Sequence, residues 1–354
     1  MLSPELLFGL IGAGSIARRY AREIAANPKV RLKSIASRQL EEAVKFLNEE
    51  AQAFSPDAQA YTEYRQILDD PEVDAVLVCT WHDSHVPIGI DCLNAGKPVF
   101  MEKPLALSSQ ACLPLVQTYL SSKVHVMMGG LAFRYYNGNV LRLLRFIERP
   151  ILIHGRFITP QWPDDFWAMK PVIGGGVIFS MGSHLMDLAC LASRSEPVRI
   201  YASGGNITHP GSGQVDNLSV VLEFQSGASA SLACGDCGEL PPFGEMMLEV
   251  YDGQRSAWIP DFLPTQTRAV FSERASYFTE GRTYPLESFD LSGEPLTPID
   301  DFVNKLLTDR SSAVFPELAD GVRAIVLLEK AILSIRSGEP QTILRCKPED
   351  GYYI

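Results

Sequence analysis

A glycine-rich turn near the first residues of the chain has the spacing of a phosphate-binding loop. The apolar run Leu6–Ile11 is followed by Gly12-x-Gly14-x-x-Ala17, and then by a segment with a helical pattern. A strand, a tight turn and a helix in this order direct backbone N–H groups at the diphosphate of a dinucleotide. Glycines of an ordinary surface turn are the alternative, since so short a motif is a weak signal by itself. The strand before it and the helix after it favour a dinucleotide-binding site.

A serine and an arginine follow the second expected strand, where NAD-specific sites usually place an acidic residue. Here that position is Ser37-Arg38. A guanidinium offers permanently charged, bidentate donors that suit the 2′-phosphate of NADP. The alternative is a helix-capping Ser37 beside a solvated Arg38. Because the usual acidic residue is missing, the pair predicts NADP, and NAD stays possible.

Polar residues also follow the fourth expected strand. They begin with Thr80-Trp81-His82, and His85 opens a helix for which Ser84 is a candidate N-cap. In a parallel sheet, a loop at this place passes beside the nicotinamide ribose of a bound dinucleotide. Both histidines could act as acid–base groups, although we favour polar positions in the loop and in the first helical turn.

The fifth expected strand ends in Glu102-Lys103-Pro104. Ligands of parallel sheets bind beyond the carboxyl ends of the strands, so a lysine held there by a rigid proline would lie where substrate and cofactor meet. A surface salt bridge between Glu102 and Lys103 is the alternative. The predicted cofactor-binding residues are Gly12, Gly14, Ser15, Ile16, Ser37, Arg38, Thr80, Trp81, His82, His85, Glu102 and Lys103.

The composition is that of an ordinary soluble globular protein. The 354 residues suffice for two hydrophobic cores, and a net charge of -11 argues against a nucleic-acid or anionic membrane surface. Seven scattered cysteines, including a lone Cys234-x-x-Cys237, predict buried free thiols rather than disulfides or a metal site. We expect neither a signal peptide nor a membrane span, and therefore a cytoplasmic protein.

Strand and helix patterns alternate up to about Gly129, which predicts a doubly wound parallel sheet covered on both faces. We therefore expect a dinucleotide-binding domain over residues 1–129 and a second domain over residues 130–354. Segments expected to be strands or helices in the first domain are Arg18–Ala26, Val30–Ala36, Leu40–Glu50, Val73–Cys79, Pro98–Met101 and His125–Met128, with a short strand near Tyr61. Those in the second domain are Ile151–Thr159, 218–224, Met247–Tyr251, Arg255–Ile259 and a last long helix over 317–337. The stretch from Pro260 to Pro298 is expected to be mostly loop, with candidate edge strands.

Several of these runs together resemble the glucose–fructose oxidoreductase / inositol dehydrogenase / MocA family of NAD(P)-dependent oxidoreductases. The most specific run is Gly-Lys-x-Val-x-x-Glu-Lys-Pro at residues 96–104. The resemblance also includes Gly12–Ala17, the strand Asp74–Thr80 with His85, Gly174–Gly176, Gly182–Asp187 and the last helix, so it covers nearly the whole chain.

The resemblance implies a Rossmann domain followed by an α+β domain with an open, mainly antiparallel sheet, whose free face often builds dimers or tetramers. It also implies that Lys103 is the catalytic lysine, that His184 is an active-site histidine, and that a cis bond precedes Pro104. This chain departs from the family at Ser180, where Asp is common, and at Trp81, where Pro is frequent.

Polar residues of the second half complete the predicted site. Ser180, His184 and Asp187 have the spacing of one helix face, although a structural hydrogen-bond pair is the alternative for His184 and Asp187. An aromatic, acidic loop around Trp162 suits stacking on a polyol, or forms a surface loop. We predict Lys103, His184 and Ser180 as catalytic, and no metal. The predicted substrate-binding residues are Lys103, Arg134, Trp162, Ser180 and His184.

These residues predict hydride transfer between a nicotinamide and a secondary alcohol or carbonyl of a sugar, inositol or related polyol. Lys103 would move the proton, because desolvation and the charge of an oxidised nicotinamide lower the pKa of an amine. The Tyr119-x-x-x-Lys123 pair fits a short-chain dehydrogenase, but the glycine pattern typical of that class is absent. A non-catalytic sugar sensor on the same fold is the other alternative, and only Ser180 favours it.

Overall fold

The computed structural model of the chain describes residues 5–238, 245–262, 269–273 and 281–344. The described residues form two compact units. One contains the chain up to Ala106 together with Gln110–Gly130 and Pro295–Leu318, and the other contains Leu107–Ser109, Leu131–Glu294 and the chain from Ala319 onward. The division expected near residue 130 stays a prediction. The sequence did not indicate that a later segment belongs to the first unit.

The described strands are β1 (Leu6–Ile11), β2 (Val30–Ala36), β3 (Gln59–Tyr61), β4 (Ala75–Val78), β5 (Val99–Met101), β6 (Val126–Met127), β7 (Leu152–Ile158), β8 (Pro197–Gly205), β9 (Asn217–Phe224), β10 (Ser229–Gly235), β11 (Met246–Tyr251), β12 (Arg255–Ile259), β13 (Val270–Glu273), β14 (Arg282–Tyr284) and β15 (Gln341–Thr342). The described α-helices are α1 (Ser15–Ala26), α2 (Leu40–Phe46), α3 (Arg65–Leu68), α4 (His85–Asn94), α5 (Ser109–Ser121), α6 (Asn139–Phe146), α7 (Ser183–Ser193), α8 (Pro298–Thr308) and α9 (Leu318–Ser337). None of these helices is both long enough and apolar enough to cross a bilayer.

The first unit is built on a parallel sheet with the strand order β3-β2-β1-β4-β5-β6. Every residue of β4 and β5 is buried, as expected for strands covered on both faces. The order and the parallel pairing confirm the predicted doubly wound, Rossmann-type sheet. The ends of β1, β2, β4 and β5 therefore place their following residues along one edge of the sheet.

Helix α8 adds to the core of the first unit although it lies far along the chain. Thr297 caps it, because its side chain accepts the N–H of Asp300 at 3.1 Å, and Pro298 occupies the first turn. Phe302 of α8 packs with ring centroids 5.7 Å from both Phe8 and Phe100. This aromatic cluster explains why residues 295–318 belong to the first unit, and the sequence analysis missed this helix.

The second unit contains a mainly antiparallel sheet with the strand order β14-β13-β12-β11-β7-β10-β9-β8-β15. The one parallel pair within the described sheet joins β7 and β10. Alternate residues of β9 are buried, so one face of the sheet is covered. Helix α7 packs on that face: a Cβ added at Gly155 of β7 would lie 2.9 Å from the Leu185 side chain. The α+β architecture expected from the family resemblance is confirmed.

One local expectation was wrong, one was confirmed with a change in its last turn, and one falls partly outside the described residues. Ser84 does not cap α4 through its side chain; its hydroxyl contacts Thr80 Oγ1 at 2.7 Å and the Trp81 carbonyl at 2.8 Å. The helix expected over Leu40–Glu50 changes to a π-helical turn at Leu47–Ala51. Parts of the loop expected from Pro260 to Pro298 lie outside the described residues, as does Cys346.

Candidate active site

The glycine turn after β1 has the conformation that a dinucleotide site requires. Gly12 has φ +103°, and a Cβ there would lie 2.3 Å from the Cys79 carbonyl oxygen. Only glycine fits such a position without strain. Gly14 is exposed, and a Cβ there would meet no atom within 4 Å. The backbone at Gly14 is thus open to the approach of a ligand.

The N-terminus of α1 begins directly after this turn. Within the described residues no side chain caps it, and its first turn has no acidic residue. The exposed N–H groups of a helix start and the positive end of its dipole attract anions. Ala17 is completely buried, which lets α1 pack closely on the sheet. These residues fit the diphosphate of a dinucleotide.

An arginine and a tryptophan meet at the ends of β2 and β4. The guanidinium carbon of Arg38 lies 3.9 Å from the ring centroid of Trp81, a cation–π contact. The neighbouring Ser37 hydroxyl donates to the Glu42 carboxylate at 2.6 Å. The structure therefore orients Arg38 by stacking, whereas the Ser37 hydroxyl is bonded to an acidic side chain that the sequence analysis did not consider.

The two predicted histidines of the following loop are buried. His82 begins a short 3₁₀ turn and His85 begins α4, which are the loop and first-turn positions that we favoured. His85 Nδ1 lies 2.8 Å from the Pro104 carbonyl and Nε2 lies 3.1 Å from the Thr80 carbonyl. Burial lowers the pKa of His85, so the neutral ring is favoured and joins the ends of two strands. Contact with a cofactor stays a prediction for both histidines.

The turn after β5 holds Lys103 among buried groups. The Glu102 carboxylate accepts the Tyr20 hydroxyl at 2.5 Å and the Lys103 backbone N–H at 2.9 Å. The peptide bond between Lys103 and Pro104 is cis, as the resemblance implied. Burial lowers the pKa of the Lys103 amine, while the charge of Glu102 opposes this shift. A lowered pKa suits an amine that exchanges a proton near neutral pH.

In the second unit, the segment around His184 differs from a continuous α-helix. Ser180 lies in a π-helical turn, Ile178–Gly182, and α7 follows from Ser183. Such a turn changes the helical phase, so the i, i+4 spacing of Ser180 and His184 does not place them as a regular helix would. Both residues are buried, and the His184 ring lies edge-on to Phe133 with centroids 4.5 Å apart.

Arg134 and Asp187 form a buried ion pair in the second unit. Arg134 Nε donates to Asp187 Oδ2 at 2.8 Å, and its Nη2 contacts both Asp187 Oδ1 and Asp320 Oδ2, the latter at 3.0 Å. The two side chains of the pair are 2% and 1% exposed. Asp187 thus bonds Arg134 in addition to lying one turn after His184. The predicted contact of Arg134 with substrate stays untested.

The aromatic loop around Trp162 is attached to a cluster of the same unit, formed by the buried His209 and two aspartates. Asp236 accepts the Trp162 backbone N–H at 3.1 Å and contacts His209 Nε2 at 2.6 Å. His209 Nδ1 lies 2.6 Å from Asp164 on the loop itself. Burial opposes charge on His209, but the two carboxylates outweigh it and raise the pKa of His209. This cluster fixes one side of the loop in which Trp162 is half-buried.

Sequence patterns could not reveal Tyr20 or Phe133 as neighbours of the predicted site residues, since each contact joins segments far apart in the chain. Glu42 lies only five residues after Ser37, and local sequence could have indicated that contact. Among the described residues, no group of three or more His, Cys, Asp or Glu side chains could hold a metal ion.

The parallel sheet, the helix start without a side-chain cap and the open Gly14 are the features of a dinucleotide-binding protein. Residues 6–130 match the model of an oxidoreductase family with an NAD-binding Rossmann fold, and residues 146–251 match the GFO/IDH/MocA C-terminal domain. The chain belongs to the glucose–fructose oxidoreductase / inositol dehydrogenase / MocA family of oxidoreductases.

Individual relatives are distant. An uncharacterized oxidoreductase, YrbE, of Bacillus subtilis (strain 168) is 23% identical over 273 residues, which are 75% of this chain and 76% of that protein. The inositol 2-dehydrogenase of Burkholderia multivorans (strain ATCC 17616 / 249) is 30% identical over 158 residues, 42% of this chain and 44% of its own length. A levoglucosan dehydrogenase in complex with NADH has the same fold, with a TM-score of 0.80, 18% identity, and coverage of 96% of this chain and 99% of that one.

Proposed function

We propose that the protein transfers a hydride between a nicotinamide dinucleotide and a secondary alcohol or carbonyl group of a sugar, inositol or related polyol. The observation that carries this proposal is the uncapped start of α1 on the same sheet edge as the Glu102-Lys103 turn. The substrate class is supported by similarity to an inositol 2-dehydrogenase, of which the matched segment spans less than half.

Each residue of the proposed mechanism has a separate task. The dinucleotide supplies the hydride acceptor or donor. Lys103 takes the hydroxyl proton during oxidation and returns it during reduction, which its lowered pKa favours. His184 hydrogen-bonds the substrate beside Phe133, and Ser180 donates or accepts a further hydrogen bond without carrying charge. Trp162 stacks on the polyol.

A fluorescence titration with NADPH and NADH, followed by an activity screen over aldoses, inositols and polyols, tests this function. We expect saturable binding of at least one dinucleotide and turnover of at least one compound in the panel. Binding without turnover of any compound would favour the sugar sensor. Failure to bind either dinucleotide would contradict the proposal as a whole.

We further propose that NADP is the preferred dinucleotide, with Arg38 on its 2′-phosphate. Stacking on Trp81 leaves the edge of the guanidinium available for a bidentate contact. Arg38→Leu is expected to weaken NADPH binding about 10- to 100-fold, because hydrogen bonds to charged groups contribute about 1.5–3 kcal/mol. The affinity for NADH should change less than threefold, which corresponds to about 0.65 kcal/mol.

Arg65→Leu is the matched control for this prediction, since Arg65 also lies over an aromatic ring, 5.0 Å from the centroid of Tyr64. Arg65→Leu should change the affinity for NADPH and for NADH only slightly. Equal loss of NADPH and NADH affinity in Arg38→Leu would contradict the assignment of the 2′-phosphate.

We propose that the chain forms a homodimer or homotetramer through the open face of its second sheet. Apolar side chains are exposed there in adjacent register positions: Leu152 opposite Tyr251, and Tyr201 opposite Val221. The two pairs lie on either side of β10, and exposed apolar side chains of this kind favour association of the sheet face with another protein surface. Sedimentation velocity should give a dimer or tetramer, and Val221→Lys should shift it towards monomer. A wild-type monomer at micromolar concentration would contradict the proposal.

We also propose a cytoplasmic location. The support is the presence of buried free thiols at Cys79, Cys92, Cys190 and Cys234, which suit a reducing compartment. Recovery of the native protein in a secreted or periplasmic fraction would contradict this.

A further inference from the structure

A buried tyrosine–carboxylate pair lies directly beside Lys103. Tyr20 of α1 is completely buried, and its hydroxyl donates to Glu102 Oε1 at 2.5 Å. The other oxygen of Glu102 accepts the backbone N–H of Lys103 at 2.9 Å. Glu102 itself is only 4% exposed. A buried carboxylate is stable only when donors compensate its lost hydration, and these two hydrogen bonds supply such donors.

The surroundings hold this pair in one arrangement. The Tyr20 ring packs edge-on against Phe100, with centroids 4.7 Å apart. A Cβ at Gly130 would lie 2.6 Å from Glu102 Oε2 and 2.2 Å from the Lys103 backbone nitrogen. Any side chain at Gly130 would therefore displace the carboxylate or the turn.

The other titratable groups around the Glu102 carboxylate are neutral or paired elsewhere. These groups are Arg19 and Tyr20 on α1, Cys79 after β4 and His85 on α4. Burial raises the pKa of Tyr20 and of Cys79 and lowers that of His85, so all three favour their neutral forms. Arg19 pairs with Glu23 at 3.0 Å. Glu102 is the group whose charge opposes the effect of burial on the pKa of Lys103.

We propose that Tyr20 is a positioning residue for Lys103, which acts by holding the Glu102 carboxylate in place beside the lysine. The proposal rests on the proposed function for its consequence in turnover. Tyr20 has no contact with the reacting atoms in this role. It acts through Glu102. The Glu102 carboxylate accepts the backbone N–H of Lys103, which orients the turn, and it opposes the lowering of the Lys103 pKa by burial.

The test is a direct titration of the Lys103 amine in the protein without substrate. Lysine labelled with ¹³C at Cε gives one resonance per residue, and loss of one resonance in Lys103→Arg assigns it. Tyr20→Phe should lower the measured pKa of Lys103 by about one unit, because a nearby opposite charge shifts a pKa by about 1–3 units. Glu102→Gln should lower it at least as much, and the double variant no further than Glu102→Gln alone.

Tyr64→Phe is the matched control, since the Tyr64 hydroxyl also donates to a carboxylate of the same unit, the part-buried Asp91, at 2.6 Å. It should leave the titration of Lys103 unchanged. An unchanged pKa in Tyr20→Phe, or additive effects in the double variant, would overturn the proposal. If Tyr20→Phe does not fold, Glu102→Gln decides: a Lys103 pKa equal to that of the wild type overturns it.

A kinetic measurement separates this inference from the proposed function. If Lys103 transfers the proton, one limb of the kcat–pH profile reports the pKa of Lys103. In Tyr20→Phe that limb should move to lower pH, by the same number of pH units as the pKa shifts in the titration. The KM for the dinucleotide should stay within about threefold. If the pKa of Lys103 shifts in the titration while turnover is independent of Lys103, the positioning inference stands and the proton-transfer role fails.

Discussion

Replacing Lys103 with methionine is expected to lower kcat by about 10²- to 10⁴-fold, the contribution typical of a general acid–base group. Methionine keeps the length and packing of the side chain but removes the proton-carrying atom. Dinucleotide affinity should stay within about threefold, because the diphosphate site at α1 is made by backbone groups. Steady-state kinetics with the best substrate of the screen and a fluorescence titration measure the two effects.

Lys123→Met is the control, because Lys123 is exposed and belongs to the Tyr119-x-x-x-Lys123 pair that fits another class of dehydrogenase. It should have wild-type kinetics. A large loss of turnover in Lys123→Met together with a small one in Lys103→Met would reverse the assignment. A loss of less than a few fold in Lys103→Met would show that another group moves the proton.

Arg134→Met is expected to lower the free energy of unfolding by about 3–5 kcal/mol, because it leaves a buried carboxylate without its partner. The pair is almost completely inaccessible to solvent, and Arg134 contacts Asp187 through two nitrogens. Asp187→Asn should destabilise by a similar amount. In the double variant the loss of unfolding free energy should be smaller than the sum of the two single losses, since the two single changes break the same contacts. Equilibrium unfolding in urea measures these differences.

The matched control is Arg199→Met on the same unit. Arg199 also contacts a carboxylate, Glu223, through two nitrogens at 3.0 and 2.6 Å, but both side chains are exposed. Exposed ion pairs contribute only about 0–1 kcal/mol because water solvates both charges. A similar loss of stability in Arg134→Met and Arg199→Met would show that burial of the Arg134 pair has no special energetic role.

The sequence predicted those parts of the molecule that depend on local pattern. The strand Val30–Ala36 has its predicted bounds, and the turn at Gly12 has the positive φ that its motif requires. Alternating apolar strands and amphipathic helices were sufficient for the parallel sheet, since its strands are buried on both faces. The mainly antiparallel second sheet followed from the family resemblance rather than from residue patterns.

Contacts between distant segments could not be predicted in this way. Tyr20 and Glu102 are 82 residues apart, and Arg134 bonds Asp187 across 53 residues. No periodicity links such pairs, because they depend on how complete elements pack. The π-helical turn at Ser180 was also missed, since a spacing of four residues assumes regular α-helical geometry. Helix α8 did have a local signal, Thr297-Pro298 followed by two acidic residues, but the preceding loop-like stretch obscured it.

The most direct test of the proposed mechanism is a crystal structure of the protein with its dinucleotide and a substrate identified in the activity screen. The account predicts the Lys103 amine within about 3.2 Å of the reacting oxygen, the range that proton transfer requires. A structure in which that amine points away from the oxygen, and another acid–base group contacts it, would contradict the account.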